Sequence, residues 1–189
     1  MNARIASILT FALLAFSVSA ARADEYSATV NLFKHAGESA AFYKNAYGYA
    51  VFPTIGKGGV GLGGAYGKGR VYAGGKHVGD VSMSQVTVGF QLGGQAYSEM
   101  IFFEDERAFK EFTGGNFEFG AEASAVAITA AANASASTTG SSAGASGGKK
   151  DAKTVGAKYY KGMATFTIAK GGLMYEASVG GQKFNYKAH

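Results

Sequence analysis

Gly59, Gly61 and Gly64 satisfy G-x-G-x-x-G, the spacing with which a strand-to-helix turn cradles a dinucleotide pyrophosphate. They lie within Ile55 to Arg70, IGKGGVGLGGAYGKGR, where half the residues are glycine. The motif needs a helix directly behind the turn, because the helix N-terminus holds the phosphate. The chain that follows, Ala65-Tyr66-Gly67-Lys68-Gly69-Arg70, opposes one, since each interior glycine costs a helix about 1 kcal/mol relative to alanine. The Walker arrangement fails as well: Leu62 stands where its first glycine belongs, and Gly69 follows Lys68 in place of Ser or Thr. Nucleotide chemistry is therefore not expected. Inside extended chain, glycine has another use: without Cβ, a second backbone or a flat ring approaches closely, and the strand can bulge or bend. A tightly curved or closely stacked sheet is the expected result, with Tyr66, Tyr72, Phe90 and Tyr97 supplying rings.

Other chemistry-bearing patterns do not assemble into a catalytic set. Gly140 to Gly144 and Gly144 to Gly148 each spell G-x-S-x-G, but both lie in an Ala/Ser/Thr/Gly tract, and a nucleophile elbow requires a rigid strand-to-helix turn. His77, Asp80 and Ser82 are close in sequence, yet no oxyanion site accompanies them. The histidines His35, His77 and His189 form no zinc-ligand spacing, and the chain has no cysteine. Glu104, Asp105 and Glu106 are accounted for as the acidic start of a helix. The expectation is a non-enzymatic protein with no metal and no cofactor.

What remains is a basic and aromatic set. Lys57, Lys68, Arg70 and Lys76 are expected on turns around the glycine run, interleaved with Tyr66 and Tyr72, and Lys44 sits on the segment before it. A second group comprises Lys149, Lys150, Lys153, Lys158 and Lys161. Near an anionic membrane each basic residue adds about 1 kcal/mol, and tyrosine suits the interfacial zone. The first group, with Tyr66, Tyr72 and Lys44, is the candidate lipid-binding site, with Gly59, Gly61, Gly63, Gly64, Gly89, Gly93 and Gly94 as its structural frame.

The elements that must position them follow from composition and period. Residues 1–23 have a short basic start, an apolar stretch from Ile5 to Val18, and an A-x-A site at Ala21-Arg22-Ala23, which together read as a secretory signal peptide. Removing Arg4 and Arg22 from 18 basic residues leaves 16 against 13 acids in 24–189, a charge of about +3 and too little to argue for nucleic acid. An exported chain without cysteine points to the periplasm, peripheral to the outer membrane. Asp24 to Ala46 reads as a helix interrupted near Gly37, and Glu104 to Phe112 as a second helix stopped by Gly114-Gly115. Between and after them, extended runs at Tyr47–Pro53, Arg70–Ala73, Val81–Leu92, Met100–Phe103, Phe117–Ala131, Ala157–Tyr160, Met163–Ala169, Leu173–Val179 and Gln182–Tyr186 predict strands. Residues 133–151 bury too little apolar surface to offset ordering and are expected to form a loop. The fold class is α+β: one domain, mostly antiparallel curved sheet, with an N-terminal helix and one inserted mid-chain helix.

Ala46 to Gly75 (AYGYAVFPTIGKGGVGLGGAYGKGRVYAGG), Val81 to Phe103 (VSMSQVTVGFQLGGQAYSEMIFF) and Ala164 to Lys183 (ATFTIAKGGLMYEASVGGQK) together resemble the SYLF domain family, from about Ala40 to Lys187. In the family frame stand Lys57, Gly59, Gly61, Gly63, Gly64, Gly89, Gln91, Gly93 and Gly94; where eukaryotic members carry W-S-x-P, this chain has Val81-Ser82-Met83-Ser84. The resemblance implies a compact domain that binds lipids, phosphoinositides in eukaryotic members, some of which also bind and bundle actin. For an exported chain, anionic phospholipid is the expected partner, with envelope proteins as further partners and actin set aside on grounds of compartment. Two alternatives stay open: a structural or protein-interaction module of the periplasm, and a small outer-membrane β-barrel, whose length and alternating aromatics fit.

Overall fold

Phe52 and Val51 are adjacent in sequence, both fully buried, and belong to different cores. A strand with that property is covered on both faces, and it marks the centre of the molecule. In this computed structural model, which describes residues 25–89, 94–123, 126–129, 158–170 and 179–189, the central element is a seven-stranded sheet with helices on both sides. The leader expected over 1–23, the loop expected over 133–151, Gly93, and most of the strand expected over 173–179 lie outside the described residues.

Helix α1 covers 25–34 and α2 covers Ser39–Asn45. The break between them passes through Gly37 at φ +47°, and the Ser39 hydroxyl lies 2.6 Å from the carbonyls of both Phe33 and Ala36, which also accept the Ala36 and Ser39 amides. The strands are β1 (Gly48–Ala73), β2 (Lys76–Gly89), β3 (Gln95–Phe103), β4 (Asn116–Glu118), β5 (Val126–Thr129), β6 (Met163–Lys170) and β7 (Lys183–Ala188), in the order β4-β7-β2-β1-β3-β6-β5. All pairings are antiparallel except β5 with β6. Among the described residues the sheet is open, with β4 and β5 at its edges, so these strands close no barrel.

The glycine run is not a loop between two strands but the middle of one 26-residue strand. The first half of β1 pairs with β3 and the second half with β2. Its register slips between Phe52 and Ile55, around Pro53, a residue with no amide hydrogen to give to a ladder. Beyond that point β1 returns over itself, placing Gly67 against Thr54 and Ile55, and Gly69 against Val51 and Phe52. Bending is concentrated in β1, and the sheet as a whole is not strongly curled.

One core, under α1 and α2, joins Phe33, Val51, Met100, Phe102, Phe166 and Ile168. The other, on the opposite face, joins Phe52, Ile55, Ile101, Phe103 and Phe184 to helix α3 (Glu106–Thr113) through Ala108 and Phe112. The Asp105 carboxylate accepts from the Ala108 amide at 2.8 Å, and Arg107–Glu111 and Lys110–Glu106 pairs brace the exposed side. Asp105→Ala is expected to destabilise the chain by about 1 kcal/mol, with Asp105→Asn close to wild type, in urea unfolding followed by circular dichroism.

Candidate functional site

Side chains alternate along a strand, so Tyr66, Lys68 and Arg70 of β1 share a face with Ser84, Ser82 and Asp80 opposite them in β2. Beyond these, Lys183, Asn185 and Lys187 of β7 continue the same face. It is the face that α1 and α2 cover over the first half of β1, β3 and β6. Over the second half of β1, β2 and β7 no described helix lies on it, and Tyr66, Lys68, Ser84, Lys183, Asn185 and Lys187 are exposed.

Where the helical and open halves meet, a groove of about 470 Å³ is lined by Tyr26 of α1 and by Tyr66, Lys68, Arg70, Asp80, Ser82, Asn185 and Lys187. The Arg70 guanidinium lies 4.1 Å from the centre of the Tyr26 ring, and the Tyr26 hydroxyl reaches the Lys68 carbonyl at 3.5 Å. Burial pushes the Tyr26 phenol up in pKa, with Arg70 acting against it. The arginine is thus held by a ring while still facing the groove. Three cations and one carboxylate line it, an environment that favours anionic groups. Toward the other end of the β1–β2 ladder the surface turns apolar: Leu62 is 67% exposed, Tyr66 54% and Val86 75%. Gly64 sits opposite Val86, so the strip carries no side chain between Leu62 and Tyr66 on β1.

The residues singled out from sequence separate into groups. Tyr66, Lys68 and Arg70 converge on the groove, but from within strand β1, which also carries Lys57, and not from the turns expected: the glycine run continues the ladder instead of ending it. Tyr72 is engaged elsewhere, between Tyr49 at 5.0 Å and His77 at 5.4 Å, against the helix-side core. Lys76 is exposed at the β1–β2 turn, and Lys44 is exposed in the last turn of α2. Lys57 is only 9% exposed, and burial lowers its pKa. Of the frame glycines, Gly59 has φ +145° and a Cβ there would fall on Gly63 and the Leu62 carbonyl. Gly61 and Gly89 face each other in the ladder, Gly63 faces Thr87, Gly64 lies at ordinary distance from Gln85, and Gly94 has open space around it.

A second polar feature is internal. Glu99 of β3 is fully buried, with one oxygen accepting from the Gln182 amide at 2.9 Å, and the same amide nitrogen lies 3.4 Å from the Tyr97 hydroxyl. Burial raises the Glu99 pKa to about 7, with the Gln182 hydrogen bond acting against it. The other Glu99 oxygen and the Gln182 carbonyl oxygen are both buried acceptors with no donor among the described residues. Loss of water around the ionised carboxylate is the cause of the raised pKa, and a proton on Glu99 also adds a donor to this pair of acceptors.

Residues 84–187, more than half of the chain, match the family described as Las17-binding protein actin regulator, Ysc84. The chain belongs to the SYLF/Ysc84 family. It is also 29% identical over 160 residues to beta cell expansion factor A of Aeromonas veronii, covering 84% of this chain and 52% of that protein. The chain therefore spans about half the length of the curated relative it matches.

The family assignment corrects one expectation. Actin was set aside because of the compartment inferred from the leader; the SYLF/Ysc84 family is described by its regulation of actin, so compartment does not remove actin from consideration. Several site residues also escaped the sequence reading. Lys183 and Lys187 alternate with Phe184 and Tyr186, a pattern that marks them as one outward row. Leu62 and Val86 carried no signal, because apolar residues in a strand are ordinarily core. Glu99 did carry one: it stands alone as an acid before the apolar run Met100-Ile101-Phe102-Phe103.

Proposed function

We propose that this chain is a non-enzymatic membrane-associating domain, exported to the periplasm, whose open sheet face meets anionic phospholipid. Leu62, Tyr66 and Val86 enter the acyl boundary, while Lys68, Arg70 and Lys187 lie level with the headgroup phosphates. The observation that carries this reading is the exposed apolar strip of Leu62, Tyr66 and Val86 beside a cationic groove on one uncovered face. Large apolar side chains grouped on a surface mark a site of interaction, and cations at their margin select an anionic partner. The folded frame does not change on binding, so association is reversible and salt-sensitive.

Co-sedimentation with phosphatidylcholine vesicles of graded phosphatidylglycerol content tests it. Partitioning is expected to rise with anionic content and fall with salt. In the double variant Lys68→Gln/Lys187→Gln it should drop by about 2 kcal/mol, roughly 30-fold. Partitioning indifferent to anionic lipid, salt and these substitutions would remove the electrostatic reading. The family description favours a second reading, binding of an actin-system protein. Pelleting with filamentous actin in the absence of lipid tests that one, and loss of pelleting in the same double variant would assign both to one face.

A further inference from the structure

His77, Asp80 and His189 are brought together where β2 begins and β7 ends, although His189 lies far from the other two in sequence. The His77 Nε2 is 3.1 Å from Asp80 Oδ1, and the His189 Nε2 is 3.5 Å from Asp80 Oδ2. The two imidazole rings are 4.5 Å apart and nearly perpendicular. All three donor atoms lie within 4.8 Å of one another. We propose that these three side chains form a binding site for a divalent transition-metal ion of the zinc class.

The geometry fits such an ion. Bonds of about 2.0–2.1 Å on a tetrahedron place neighbouring donor atoms about 3.3 Å apart; the carboxylate presents Oδ1 to one ring at 3.1 Å and Oδ2 to the other at 3.5 Å, so small side-chain rotations would turn the three groups onto one shared ion. Two imidazoles and one carboxylate suit Zn²⁺, Cu²⁺ or Ni²⁺, whereas Mg²⁺ and Ca²⁺ require oxygen ligands. Three protein donors leave a fourth position for water. Contacts outside the cluster place the His77 ring, whose Nε2 also lies 3.1 Å from the Gly79 carbonyl, and the His189 backbone. Tyr72 stacks on His77 at 5.4 Å, and the His189 amide donates to the Val78 carbonyl at 3.2 Å, continuing the sheet past β7. A simple ion pair would need one protonated imidazole against Asp80; here a second imidazole is turned to the other oxygen of the same carboxylate. Arg70 and Lys187 face Asp80 from the neighbouring strands, and their charge holds the affinity below that of a structural zinc site.

The untagged chain titrated with zinc chloride by calorimetry, and with cobalt chloride by visible absorption, tests the site. One ion per chain is expected, with the d–d band of four-coordinate cobalt. His77→Ala and His189→Ala should each weaken binding at least tenfold, the second at an exposed position after the last strand. His35→Ala, altering the chain's remaining histidine just after α1, should leave it unchanged. Absence of binding at millimolar zinc, or binding that survives both His77→Ala and His189→Ala, overturns the proposal.

Discussion

Gly69→Val is expected to lower the unfolding free energy by about 3 kcal/mol, the upper part of the range for overpacked cores. A Cβ on Gly69 would stand 2.7 Å from two ring carbons of Phe52 and 2.8 Å from the Val51 carbonyl oxygen. Neither neighbour can yield. Phe52 is fully buried, packed at 5.8 Å against Phe184, and the Val51 carbonyl belongs to a residue paired with Met100 in the central ladder. The contact exists because β1 turns back over its own first half, so the substitution pushes apart two segments of one strand. Gly56→Ala is the control: no heavy atom lies within 4 Å of its added Cβ, its φ is not positive, and its effect should be within about 1 kcal/mol of zero. Urea unfolding measures both, and the midpoint of Gly69→Val should fall with an unchanged m-value. A Gly69→Val chain as stable as wild type would mean that the two halves of β1 do not touch.

That experiment also shows why the glycines were only partly legible. G-x-G-x-x-G could be rejected from local physics, since no helix tolerates Gly67 and Gly69 directly behind the turn. The same physics predicts close approach in extended structure, yet it does not say which glycines are approached. The frame residues Gly64 and Gly94 have ordinary or open surroundings, while the tight positions Gly67 and Gly69 look no different in the string of letters. Which glycine meets which neighbour depends on the slip of register at Pro53, a tertiary event. Helix α3 was legible for the opposite reason: Asp105, the i,i+4 pairs and Gly114-Gly115 all act within one segment. The groove stands between these cases. Lys68, Arg70 and Tyr66 alternate along one strand and were found together, but Tyr26, Lys187 and Asn185 reach the same groove only through the docking of α1 and the pairing of β7 with β2. Lys57, grouped with them by proximity in sequence, is buried.

Glu99→Gln is expected to make the chain more stable than wild type at pH 8 while leaving the two alike at pH 5. In the folded chain burial holds the Glu99 pKa at about 7, above its ordinary value of 4.5. An acid whose folded pKa is raised contributes stability that is complete below the unfolded pKa and is lost as pH rises through the folded one. Between pH 5 and pH 8 this group should therefore remove about 2 to 3 kcal/mol from wild-type stability. Glutamine is the neutral isostere of the protonated acid, and its amide supplies a donor at all pH values to a cluster in which Glu99 and Gln182 each have a buried oxygen without one. Denaturation series at pH 5, 6, 7 and 8 on both chains isolate the effect, because every other titrating group is shared and cancels in the difference. Most of the gap should open between pH 5 and pH 7, and it should level off above pH 7. Parallel pH profiles would show that the carboxyl titrates at its ordinary value, and that water or a conformational opening reaches Glu99 behind β3.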